Sequence, residues 1–133
     1  MESVDNQEIL DLLKRLSECK KIIISEEVQD YILNHSNPKV AAKIIRNIRL
    51  LDEFGLSLPD NYIHRIWDSK EKLWELRVKF SNNTERTLFF SFNEGKFLLT
   101  NCFRKNTEKV PKSEIIKAEK ILYEYIEYSK FKK

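Results

Sequence analysis

The chain has 133 residues, 41% hydrophobic and 34% charged, the balance of one folded domain with a modest core and not of a disordered chain. The net charge of +3 is uneven: residues 1–61 carry 8 basic and 11 acidic side chains, a net of −3, and residues 62–133 carry 16 and 10, a net of +6. An anionic ligand is therefore expected on the second half, although a solvated lysine-rich surface has the same composition.

Residues 6–18 place Ile9, Leu12, Leu13 and Leu16 at helical spacing, with Asp5 and Glu8 as a capping pair. The β-branched run Lys21–Ser25 predicts a strand, and a short helix is expected over about Glu26–Asn34. Asn37-Pro38 is a helix start, Val40, Ala41, Ile44, Ile45, Ile48 and Leu51 form its apolar face, and Gly55 is a stop. These two helices are expected to form an antiparallel pair. From Asn61 the period falls to 2. Trp74, Leu76, Val78 and Phe80 alternate with Glu75, Arg77 and Lys79 in a half-buried strand. Arg86–Phe92 and Lys96–Phe103 read as two more strands, joined by turn residues Asn93-Glu94-Gly95. Pro111 opens a last helix with Ile115, Ala118, Leu122, Tyr125 and Ile126 on its buried face. The expectation is a single α+β domain, a mostly antiparallel sheet of four to five strands packed by N-terminal helices and a C-terminal helix.

No apolar run approaches the roughly 20 residues that span a bilayer. MESVDNQEIL lacks the basic start and apolar core of a signal peptide. Cys19, Cys102, His35 and His64 are scattered, with no metal-ligand spacing. A cytoplasmic protein without membrane contact, disulfide, metal or cofactor is expected.

Five basic side chains stand out. Arg77 and Lys79 share a strand face with Glu75, Arg86 begins the next strand, and Arg104 and Lys105 end the one after. In register, they converge on one side of the sheet while helices fill the other, making a cradle for a phosphodiester. RNA cleavage without a metal needs a base for the ribose 2′-OH, cations for the phosphorane and an acid for the leaving 5′-oxygen. Glu75 among cations is a candidate base, and a crowded lysine is a candidate for either role. The competing reading is a solvated strand face with a weak Glu75–Arg77 pair, Trp74 in the core, and Tyr123, Tyr125 and Tyr128 as packing.

Leu73-Trp74-Glu75-Leu76-Arg77 resembles the LWELR signature of the phage-derived HigB-type toxins of the RelE superfamily. Arg86-Thr87-Leu88-Phe89-Phe90 is similar to their arginine-led strand, and Leu98–Thr107 to their LLHGFxKKT segment. Pro111, Glu114, Ile115 and Ala118 match P-x-x-E-I-x-x-A. The order holds over roughly residues 20–127, with 1–19 as an extra helix expected to cover the core and 128–133 as a basic tail. The resemblance implies a RelE-like fold and a toxin of a type II toxin–antitoxin pair. Such toxins cleave mRNA, often in the ribosomal A site. A small antitoxin protein, commonly a DNA-binding helix-turn-helix protein, neutralises them in a hetero-oligomer. By motif position, Arg77, Arg86, Lys105 and Glu75 are the implied catalytic group, with Lys79, Arg104, Trp74 and Lys109 binding RNA. Asn101-Cys102 stands where the family has His-Gly, which leaves open a silent RNA- or protein-binding module of the same fold.

Overall fold

A computed structural model describes residues 5–92, 95–105 and 109–131. Helix α1 (Asn6–Leu16) starts where Asp5 accepts a hydrogen bond from the Glu8 amide at 2.8 Å. Strand β1 (Ile22–Ile24) leads into α2 (Glu26–Leu33). The Ser25 hydroxyl caps α2 by accepting from the Val28 amide and donates to the Thr100 carbonyl at 2.7 Å, which ties the helix start to the sheet. Helix α3 (Pro38–Phe54) has the expected Asn37 cap. It stops at Gly55, whose φ of 60° a side chain would strain.

Strands β2 (Ile63–Ile66), β3 (Leu73–Phe80), β4 (Asn83–Phe92) and β5 (Lys96–Lys105) precede α4 (Lys112–Phe131). The sheet order is β1-β5-β4-β3-β2, with β1 parallel to β5 and every other pair antiparallel. The fold is thus α+β on a mixed five-stranded sheet. Strand β4 starts three residues before the expected Arg86, because Phe80 pairs with Asn83 across a tight turn in which Ser81 takes φ 57°. Strand β5 runs on to Lys105, two residues past the expected end. The expected turn at Asn93-Glu94 and the motif residues Asn106 and Thr107 lie outside the described residues. Part of the expected basic tail, through Phe131, is the last turn of α4.

Helices cover both faces of the sheet, not one. On the first face Ile9 and Leu16 of α1, Val28 and Ile32 of α2 and Ile44, Ile45 and Ile48 of α3 pack with Leu76, Val78, Phe89 and Leu99. Helix α1 is therefore core cover. On the second face Ile115, Ala118 and Leu122 of α4 meet Leu73, Leu88, Phe90, Leu98 and Phe103. Each such large side chain contributes about 1.5–3 kcal/mol by leaving water. Strand β5, second in the sheet and covered on both faces, is buried without a break from Phe97 to Phe103.

A bulge sets which β5 residues face which helix. Phe89 pairs with Leu99 but Leu88 pairs with Asn101, so Thr100 is the extra residue. It shifts the alternation by one: Leu99 and Cys102 share the first face, Leu98 and Phe103 the second. The Thr100 hydroxyl donates to the Asn101 side chain at 2.6 Å. None of the helices among the described residues is long and apolar enough to cross a membrane.

Candidate active site

The second face changes character beyond the residues that α4 covers. Register sets Arg77, Arg86 and Phe103 in one row across β3, β4 and β5, and Lys79, Thr84 and Lys105 in the next row. His64 of β2 lies beside Glu75 of β3. Glu75, Arg77, Lys79, Arg86 and Lys105 thus share one face, reached from three strands, because the two-residue turn at Ser81-Asn82 sets Arg77 opposite Arg86.

Glu75 organises this group. It is 1% exposed, and each carboxylate oxygen holds one guanidinium: Oε1 accepts from Arg77 Nε, and Oε2 accepts from Arg86 Nη1 at 3.2 Å. A buried carboxylate needs such compensation, and two cations over one anion leave a net positive charge. The Arg86 side chain is 4% exposed and that of Arg77 13%, so Arg77 is the more available to a ligand. Lys79 is exposed and Lys105 half-buried.

His64 joins the group, which its isolation in sequence concealed. Arg77 Nη1 lies 3.1 Å from His64 Nε2. A guanidinium only donates, so Nε2 accepts and the ring proton sits on Nδ1. His64, Arg65, Trp67, Glu75, Arg77 and Lys109 line a cleft of about 230 Å³. The only signal in the sequence was the strand period, which places positions 64 and 66 on one side. Nothing in it tells that His64 meets Glu75, 11 residues away. A larger cleft, about 730 Å³ between α1 and α3, mixes Arg15, Arg46 and Arg49 with Glu18, Asp52 and Glu53 and lies apart from these groups.

A family model described as phage derived protein Gp49-like (DUF891) matches residues 32–123, which hold α3, all of β2 to β5 and most of α4. The chain belongs to this family. The family is of the RelE toxin-like kind. No curated protein matches the chain in sequence. Within this Gp49-like domain, Asn101 has a structural task. It is 0% exposed, and its Nδ2 donates to the Glu114 carboxylate at 2.9 Å and to the Glu114 carbonyl at 3.3 Å. It fastens β5 to the first turn of α4 and points away from solvent.

Two residues expected at the site lie elsewhere. Trp74 stacks on Phe89, ring centroids 6.5 Å apart, and packs with the first-face core. Strand alternation puts it opposite to Glu75. Arg104 also faces away, since it pairs with Glu85 while Lys105 pairs with Thr84. Exposed itself, it reaches a second group built around the buried Glu85. Glu85, 2% exposed, accepts from Tyr31 Oη at 2.9 Å, bonds His35 Nε2 and lies 3.4 Å from Arg104 Nη2. The Asn37 amide donates to His35 Nδ1 at 2.9 Å, so the ring proton sits on Nε2 toward Glu85. Burial, and then the bond to Glu85, push the Tyr31 phenol up from its ordinary value. The group latches α2 and the turn after it to β4 and β5. Burial also pushes the Cys102 thiol up to about 12, against a hydrogen bond with Thr87 that lowers it.

Proposed function

We propose that this Gp49-like chain is the toxin of a type II toxin–antitoxin pair, of the HigB type. In this reading it is an endoribonuclease that cuts mRNA on the ribosome without a metal ion, and an antitoxin protein holds it in check. The observation that carries the reading is the facing pair Arg77 and Arg86, clamped by Glu75 beside Lys79, Lys105 and His64 on one face. Attack by a 2′-OH on the adjacent phosphorus puts new charge on the phosphorane oxygens, and fixed cations next to it lower that barrier. The nucleophile belongs to the RNA, so no serine or cysteine is needed.

The roles follow from access. Lys79, Lys105 and Lys109 bind the backbone. Arg77, the less buried arginine, turns from His64 to a phosphate oxygen. That move frees the His64 Nε2 lone pair to take the 2′-OH proton. Glu75, with both oxygens engaged, positions the arginines and is a poorer base than His64. Arg86 is the rigid member, supplying charge from beneath. The deep burial of Arg86 favours a second reading, an RNA-binding module that does not cut; it predicts that purified protein binds RNA and leaves mRNA intact on ribosomes as well.

Induced expression in bacteria tests the proposal. The parent arrests growth and translation. Lys79→Ala with Lys105→Ala does not, while its thermal stability stays close to the parent's. A harmless parent sinks the toxin reading, and equal arrest by both sinks the assignment of this face. The lysines are better probes than Arg86→Ala, which also strips Glu75 of a buried partner.

A further inference from the structure

Trp67 follows directly on β2 and is 77% exposed. A tryptophan left in water forgoes a large burial energy, so its surroundings are informative. The Arg65 guanidinium lies 4.3 Å from the Trp67 ring centroid and 5.7 Å from that of Trp74. Arg65 Nε is buried and makes no hydrogen bond among the described residues, so its place is held by stacking between the two indoles. Trp67 is braced from behind while its indole stays open to solvent.

The turn that carries Trp67 is also tied down. Ser69 Oγ donates to Glu119 at 2.7 Å, Tyr123 Oη donates to Glu71 at 3.0 Å, and the Ser91 amide donates to the Lys72 carbonyl at 3.1 Å. Such bracing lowers the ordering cost of a ligand that stacks on the ring. Trp67 shares the cleft of about 230 Å³ with His64, Glu75, Arg77 and Lys109. That volume is below the roughly 300–1,000 Å³ of sites that enclose a whole drug-sized ligand; it suits one ring system whose sugar and phosphate continue toward the cations.

We propose that Trp67, backed by Arg65, is a stacking platform for one nucleobase of a single-stranded RNA, seating the nucleotide whose phosphate meets Arg77. This rests on the RNA reading above and deepens it. Stacking recognises any base by its π-face, so the subsite sets position along the strand and leaves base identity to other contacts. It also fits unpaired RNA and rejects a duplex, whose bases present no free face.

The test uses the full chain and two probes: a 2′-O-methyl RNA hexamer, which cannot be cut, and the same backbone with abasic sites. Affinities are measured at low salt by anisotropy. Removing the bases should weaken binding to the parent by about 10- to 100-fold. Trp67→Ala should lose the same factor on the hexamer and nothing further on the abasic probe. Trp67→Phe should stay within about 5-fold of the parent, since a smaller ring still stacks. Far-UV circular dichroism checks that both variants fold. Equal affinity of the parent for both probes, binding of neither, or Trp67→Ala weakening both equally overturns the platform, and the indole then belongs to a protein contact. Base-dependent binding through Trp67 by a protein that leaves unmodified mRNA on ribosomes uncut keeps the platform and sinks the nuclease. Cutting of mRNA on ribosomes that survives in Trp67→Ala, with its affinity for the hexamer unchanged, does the reverse.

Discussion

Replacing Glu75 with glutamine tests whether one carboxylate holds the site together. Glutamine keeps the shape but removes the charge, and its amide presents a donor to one of the two guanidiniums that Glu75 now accepts from. Breaking a buried pair by deleting one partner costs about 3–5 kcal/mol. Arg86 has little escape at 4% side-chain exposure, whereas Arg77 at 13% reaches water more readily. The loss should therefore fall near the lower end, about 3 kcal/mol. For a domain of this size that lowers Tm by about 10–15 °C. Urea unfolding followed by near-UV circular dichroism gives the same quantity at 25 °C, with the slope unchanged. Adding Arg86→Gln to Glu75→Gln should recover about 1–2 kcal/mol, because the stranded cation is gone. If Glu75→Gln stays within about 0.5 kcal/mol of the parent, as a surface substitution would, the carboxylate is not a buried hub.

Other outcomes follow from the same structure. Asn101→Ala should cost about 1–3 kcal/mol, since it strips the Glu114 side chain of a buried donor and loosens the first turn of α4; denaturant unfolding measures it. Cys102 should resist thiol reagents in the native protein at pH 8 and react at once in urea, because burial keeps it protonated. The same thiol makes stability fall in alkali. Unfolded it loses its proton near 9.0, folded near 12, so its contribution is whole below pH 9 and is lost as pH rises from 9 to 12. Cys102→Ala should flatten that decline in a pH series of urea melts; the raised Tyr31 phenol keeps part of the slope above pH 10.

Much of the fold is legible in the chain because local signals agree with the tertiary structure. Asp5, Ser25 and Asn37 cap the helices they precede, and the alternation through Leu73–Phe80 gives both faces of β3. The convergence of Arg77, Arg86 and Lys105 follows from alternation once the register is known, but the register depends on a turn with no glycine, at Ser81-Asn82. Without that turn signal the pattern marks β4 only from Arg86, and Glu85 falls outside it. The bulge at Thr100 leaves no mark, since a strand covered on both faces is apolar throughout and hides its phase. Side chains that meet through pairing are hidden too: His35 reaches Glu85 across 50 residues. Trp67 left a weak signal, an aromatic among the turn residues Asp68 and Ser69, without any hint of the guanidinium behind it.

The chemistry of the cut ends bears most directly on the central claim. Purified protein is incubated with ribosomes stalled on a defined mRNA, and the new termini are identified by selective ligation and phosphatase treatment. Attack by the 2′-oxygen predicts a 2′,3′-cyclic phosphate on one fragment and a 5′-hydroxyl on the other, with no cut where the preceding nucleotide is 2′-deoxy. Fragments bearing a 5′-phosphate and a 3′-hydroxyl, or cutting that persists beside the deoxynucleotide, would contradict the account.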